Sequence, residues 1–120
     1  MSFVFVPVTQ LKVKIPVIIP GDLGKSRKSE FTATFEKLSV SDRKALTEKL
    51  RGGELTDDDV LQKYCIDLEG IEDEAGNPIE FSQGLLKQFL DVDFIRAPLT
   101  EAFFGLLYGD DFIKSLKSKN

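Results

Sequence analysis

The fold prediction rests first on residues 11–36, which read LKVKIPVIIPGDLGKSRKSEFTATFE. Apolar residues occupy every second position over 11–19, so one side of this segment is apolar and the other carries lysines. A period of two predicts a half-buried strand. Phe and Ala alternate with Thr over 31–35 and predict a partner strand, while 20–24 has turn chemistry and 25–29 is a polar loop. We therefore predict a long-looped antiparallel hairpin.

The preceding residues 3–8, FVFVPV, are β-prone and apolar at both alternating sets of positions. A strand of this kind needs cover on both of its faces. Pro7 has no backbone N–H to donate, which places the strand at a sheet edge or ends it there.

From Ser39 onward the apolar spacing becomes helical. Ser39 or Ser41 is expected to cap a first helix that carries Leu46 and Leu50 and stops at the two glycines of 52–53.

A second helix is predicted after Thr56, which with Asp59 forms an analogue of a capping box. The three aspartates Asp57, Asp58 and Asp59 then lie at the positive end of the helix dipole. Cys65 falls on the apolar stripe of this helix, so we interpret it as a small buried hydrophobe. The stripe consists of Val60, Leu61, Tyr64, Cys65 and Leu68.

Further helices are predicted in the last third of the chain. Ser82 caps a third helix, a fourth runs from about Phe94 to Tyr108, and Asp110 begins a last short helix with Phe112. The third helix has one apolar face formed by Leu85, Leu86, Phe89 and Leu90.

Together these elements predict an α+β fold, with an N-terminal antiparallel β-hairpin or small sheet followed by a bundle of four to five short helices. At 120 residues the chain has the size of one domain. We divide it into a hairpin region (1–38), a helical region (39–113) and a tail that frays (114–120).

The fourth helix has two apolar faces at about 100° per residue. Phe94, Phe104 and Tyr108 lie opposite its main core face, so they are either covered by neighbouring helices or by the segment with Phe112, or they bind another chain. The core face consists of Ile95, Leu99, Ala102, Phe103, Leu106 and Leu107.

Charge is distributed in blocks along the chain. Residues 1–51 hold ten Lys or Arg against five Asp or Glu, whereas residues 52–80 hold one lysine against ten acids. This asymmetry has three possible explanations. The basic and acidic blocks could contact each other between copies of the chain, they could neutralise each other within one subunit, or both could be solvated surface. The candidate contact residues are Lys25, Arg27 and Lys28 on one side and Asp57, Asp58, Asp59, Glu72, Asp73 and Glu74 on the other.

Composition restricts the chemistry of the chain. It contains no histidine, which excludes Ser-His-Asp and Cys-His catalysis, and a single cysteine cannot complete a structural zinc site. The acids around Asp67 and Glu74 do not follow the order of calcium ligands in an EF-hand, and no phosphate-binding loop is found. We predict no cofactor and no metal.

Sequence composition also limits where the protein is expected to be located and which partners it is expected to bind. No apolar stretch approaches the roughly 20 residues of a membrane helix, no secretion signal is evident, and a lone cysteine suits a reducing compartment. A pI near 4.9 opposes nucleic-acid binding. We expect a cytoplasmic protein that contacts neither membrane nor nucleic acid.

The order of these motifs resembles the tail assembly chaperones of long, non-contractile-tailed (siphovirus-type) phages and prophages. The resemblance covers about residues 13–120. Its most specific part is GIEDEAGNPIEFS (70–82) followed by two helices, the second containing IRAPLTEAFF (95–104). PGDLG (20–24), FTATFEKLS (31–39) and the final Lys119-Asn120 complete the pattern.

The resemblance implies a non-enzymatic protein of the bacterial host cytoplasm. Such chaperones coat the long, aggregation-prone tape-measure protein while the tail tube polymerises, form homo-oligomers such as rings or spirals, and are absent from the virion. A longer frameshifted form of the same chain and the tail tube protein are further implied partners. On this interpretation Phe94, Phe104, Tyr108 and Phe112 bind the client.

Two other classes of function are open at this stage. A structural minor tail or head-tail protein retained in the virion would share the small size, hairpin and self-association. A small enzyme or metal-binding domain is disfavoured by the absence of histidine and of any metal-ligand pattern.

Overall fold

The computed structural model describes residues 2–108 and contains one three-stranded antiparallel sheet. Strands β1 (Gln10–Pro20) and β2 (Ser26–Glu36) form the predicted hairpin, closed by a short 3-10 turn at Asp22–Gly24. Strand β3 (Cys65–Glu69) pairs with the other side of β2, which gives the order β1-β2-β3. The sheet and the helices below confirm the predicted α+β class.

The helices follow the predicted capping signals. Helix α1 is Val40–Arg51, α2 is Asp57–Tyr64, α3 is Gln83–Leu90 and α4 is Asp93–Tyr108. The Ser39 and Ser82 hydroxyls accept hydrogen bonds from the first turns of α1 and α3, at 3.1 and 3.0 Å. Such bonds satisfy backbone donors that a helix start leaves without partners.

Helix α2 begins with a full capping box. The Thr56 N–H donates to Asp59 Oδ2 at 3.0 Å, and the Asp59 N–H donates to the Thr56 hydroxyl at 3.2 Å. The aspartates at 57–59 therefore serve the helix start, as the sequence predicted.

The core lies between one face of the sheet and the helices. Ile15 and Val17 of β1 and Phe31, Ala33 and Phe35 of β2 are buried, in agreement with the predicted alternation. Phe103 of α4 is at the centre of this core and is 1% exposed. Its ring lies 5.5 Å from Phe35, 5.9 Å from Tyr64 and 5.4 Å from Phe104, between ring centroids.

Strand β3 corrects the prediction that the helix after Thr56 continues through Leu68. Helix α2 ends at Tyr64, and the chain continues into β3 beside β2. A bulge pairs Phe35 with Cys65 and Thr34 with Asp67, so Ile66 is skipped. Because of that extra residue, Cys65 and Leu68 are both buried although they are three apart, a spacing that imitates a helix face.

Two smaller corrections concern the N-terminal third. Ser26 to Ser29 belong to β2, so the predicted polar loop is mostly strand and the connection is short. Residues 3–8 have no strand and no cover, although the sequence predicted a strand covered on both faces.

Side-chain contacts join the elements at the surface. Lys12 of β1 reaches Glu69 of β3 at 3.0 Å, and Asp58 of α2 pairs with Arg96 of α4. Arg43 of α1 donates to the carbonyl oxygen of Leu107 at 3.2 Å. Within residues 2–108, no helix is both long and apolar enough to cross a bilayer.

These contacts predict a loss of stability in acid. Hydrogen bonds from the Thr56 backbone and hydroxyl lower the pKa of Asp59, and the hydrogen bond and charge of Lys12 lower the pKa of Glu69. A carboxyl whose folded pKa is depressed stabilises the fold above its unfolded pKa of about 4 and loses that contribution as pH falls through the folded value. We expect the urea midpoint to fall between about pH 5 and pH 2, and to fall less in Glu69→Gln. Equal acid slopes in both proteins would contradict a role for the Lys12 contact.

Candidate functional site

A continuous run of exposed apolar side chains occupies the segment 3–8, here called the N-terminal arm. Phe3 is 89% exposed, Phe5 is 75% exposed, and Val4, Val6 and Val8 are also exposed. Contiguous exposed apolar surface of this kind makes the arm a candidate interaction site.

The arm leaves the sheet at Thr9. The Lys37 N–H donates to the Thr9 carbonyl oxygen at 2.9 Å, which is the last backbone bond between the hairpin strands. The arm begins on the N-terminal side of this bond and has no assigned secondary structure. It is thus a β-prone segment next to the edge strand β1.

The predicted client residues on α4 differ in exposure. Phe94 and Phe104 are half-buried and pack against the core, whereas Tyr108 is 37% exposed. The Tyr108 and Phe104 rings are stacked with centroids 6.0 Å apart. The described residues do not include Phe112, the short helix predicted to begin at Asp110, or the tail predicted to fray (114–120). Neighbouring elements therefore cover part of the second face of α4, and its accessible part is the end with Tyr108.

The basic and acidic blocks meet within one chain. Arg27 and Lys28 of β2 line one groove together with Glu72, Asp73 and Glu74 of the loop after β3. Among residues 2–108, however, no ion pair within 4.0 Å joins the two groups. This proximity agrees with neutralisation inside the subunit, the alternative to contact between copies.

The other acidic candidates already have roles at helix ends and turns. Asp59 caps α2 and Asp58 pairs with Arg96, which leaves Asp57 as the aspartate of this group with neither contact. The Asp73 carboxylate accepts from the N–H groups of Ala75 and Asn77, both at 2.9 Å, and so shapes the tight turn after β3. Lys25 lies in the turn before β2.

Cys65 is buried, as the sequence predicted, although it lies on a strand. Burial raises the pKa of its thiol to about 11, so the reactive thiolate is scarce at neutral pH. Within the described part of the chain, no three His, Cys, Asp or Glu side chains converge to hold a metal ion.

The sequence did not identify the N-terminal arm as a candidate functional surface. The signal was nevertheless present, because a strand that is apolar on both faces needs two covering layers and this small fold supplies one helical layer. The apolar pattern of residues 3–8 indicates that both faces of this segment need cover, but it does not indicate whether this chain or another one covers them.

Comparison with known proteins gives no match: no family model fits the chain, and no curated protein or solved structure is significantly similar to it.

Proposed function

We propose that this protein is a phage or prophage tail assembly chaperone, a non-enzymatic protein that binds the tape-measure protein and keeps it soluble while the tail tube forms. The motif order of residues 13–120 supports this proposal. The structural observation that supports it best is the stacked pair of Phe104 and Tyr108, an aromatic surface at the end of α4.

This aromatic surface suits an extended helical client. Tyr108 combines a large apolar ring with a polar hydroxyl, which allows contact with a partner at a surface that also meets water. One such contact is weak, but many copies along a long client gain affinity through effective concentration. Each chaperone therefore needs only a small client site, provided that it self-associates.

Co-expression with the tape-measure protein of the same genome tests the proposal. We expect the native chain to raise the soluble fraction of the client several-fold and to co-purify with it. Tyr108→Asp places a charge on the aromatic surface and is expected to lose most of this effect, because burying an unpaired charge against an apolar client is costly.

Tyr108→Phe is the matched control, since it keeps the ring and its stacking on Phe104. We expect this variant to hold the client as the native chain does. A client that stays equally insoluble with and without the native chain would overturn the proposal.

A structural tail or head-tail protein is the competing function, and the exposed N-terminal arm favours it because a β-prone arm also suits permanent assembly. Mass spectrometry of purified virions separates the two. A chaperone is expected to be missing from the particle, and a structural subunit to be present in stoichiometric amount.

A further inference from the structure

Strand β1 forms one edge of the sheet, and its free hydrogen-bonding groups follow from the register. Along an antiparallel strand, the backbone N–H and C=O groups of alternate residues bond to the partner strand, and those of the residues between them point away from it. The Lys37 to Thr9 bond places Thr9 among the first kind, so odd-numbered residues of β1 bond to β2 and even-numbered residues face the free edge. Pro16 and Pro20, which lack an N–H, are both even-numbered, as this assignment requires.

The free edge therefore offers three consecutive complete rungs, at Gln10, Lys12 and Lys14. Beyond them Pro16 removes a donor, which leaves Ile18 isolated between two prolines. Edge strands with unpaired rungs are templates for the addition of another strand.

We propose that the N-terminal arm of a second copy of this chain occupies this edge. The two chains pair antiparallel about a two-fold axis at Thr9, so that Val8, Val6 and Val4 of each copy bond to Gln10, Lys12 and Lys14 of the other. The contact is isologous, and it joins the two three-stranded sheets into one six-stranded sheet.

The positions of the prolines fit this register. If the arm continues the alternation of β1, Pro7 is odd-numbered and its missing N–H points away from the second copy. The arm thus presents complete groups at residues 4, 6 and 8, which match the three complete rungs of the edge.

The side chains fit it as well. Phe3, Phe5 and Pro7 come opposite Ile15, Val13 and Leu11 of the other copy, on the apolar face of the sheet, where Val13 and Leu11 are only half-buried in one chain. Aromatic and β-branched residues are favourable cross-strand neighbours. On the other face of the sheet, Val6 of one copy comes opposite Lys12 of the other. If two β1 strands paired directly about Lys12, the two Lys12 side chains would instead lie opposite each other and repel.

The other edge of the sheet is less suited to the arm. Strand β3 has five residues and a bulge, and its Leu68 N–H already donates to the Asp67 carboxylate at 2.9 Å. Short, bulged and internally bonded edges resist strand addition.

Sedimentation of the full chain, with no client present, tests the proposal. We expect a dimer as the smallest assembly, and we expect it to persist in 1 M salt because backbone bonds and apolar contacts hold it. Val6→Pro removes an arm donor from both halves of the interface and is expected to weaken the dimer about tenfold or more. Val6→Thr keeps the N–H and the β-branched shape, and it should dimerise like the native chain.

Cysteine cross-linking tests the proposed register between the two chains. Thr9 meets its own copy in a pair whose Cα atoms are about 4.5 Å apart, within the span of a disulfide. Thr9→Cys is therefore expected to give a covalent dimer on oxidation. Lys12→Cys is not, because the six-residue offset separates the two sites by about 20 Å.

Several results would overturn the inference. The first is that the native chain is a monomer. The second is that Val6→Pro dimerises normally while its far-UV circular dichroism spectrum is native. The third is that Lys12→Cys forms the covalent dimer and Thr9→Cys does not. Loss of dimerisation at 1 M salt would assign self-association to the charge blocks instead. Because the arm proposal rests on the self-association of the proposed chaperone but is measured without a client, its failure is distinguishable from failure of the co-expression test.

Discussion

Replacing Ile15 with aspartate is expected to unfold the protein at 25 °C. Ile15 is 0% exposed and faces the helices from the middle of β1. An uncompensated buried charge costs about 3–5 kcal/mol, to which the lost burial of an isoleucine adds about 2 kcal/mol more. Domains of this size are stable by only about 5–15 kcal/mol in total. We expect far-UV circular dichroism without the native sheet and helix signals.

The same substitution three residues later is the matched control. Ile18 lies on the opposite face of β1, is 60% exposed and pairs in register with Lys28 of β2. We expect Ile18→Asp to change the free energy of unfolding by less than about 0.5 kcal/mol, as exposed substitutions usually do. A native circular dichroism spectrum for Ile15→Asp, or an Ile18→Asp variant as unfolded as Ile15→Asp, would contradict the burial of this one face of β1.

Replacing Phe103 with alanine has the second-largest expected effect, a loss of about 3–5 kcal/mol in the free energy of unfolding. Phe103 contacts rings from the sheet, from α2 and from its own helix, namely Phe35, Tyr64 and Phe104. Its removal leaves a cavity at the junction of three elements, which cannot close without moving one of them.

Urea titration followed by circular dichroism measures this loss, and Phe94→Ala is the control. Both changes remove a phenylalanine ring from α4, but Phe94 is half-buried. We expect its loss to cost less than half as much as that of Phe103. Equal costs would contradict the central position of Phe103 in the core.

Much of this fold was predictable because the relevant forces act over a few residues. The alternation over 11–19 and 31–35 predicted the hairpin and its buried face, and the structure confirms both. Thr56 and Ser82 were correctly predicted as the starts of helices, and the structure selects Ser39 over Ser41 as the cap of α1. Such caps are predictable because a capping bond joins residues only three apart.

The candidate surfaces were less predictable. The sequence indicated a second apolar face of α4, but which of its residues remain accessible depends on the neighbours of the helix. Phe94 and Phe104 are partly covered by the core, and Tyr108 is exposed. The charge blocks were equally visible in the sequence, but only the fold brings Arg27 and Lys28 beside the acidic loop after β3.

The amino-acid sequence by itself determined the hairpin and the helix starts, because neighbouring residues supply the partners that these features need. Only the tertiary structure decided that residues 65–69 form a strand. Their apolar spacing of three suits a helix, but β2 offers hydrogen bonds along its second side, and a bulge at Ile66 turns Cys65 and Leu68 to the same face. Tertiary structure also left the N-terminal arm uncovered, because the hairpin bonds end at Thr9 and no element within residues 2–108 buries the side chains of 3–8.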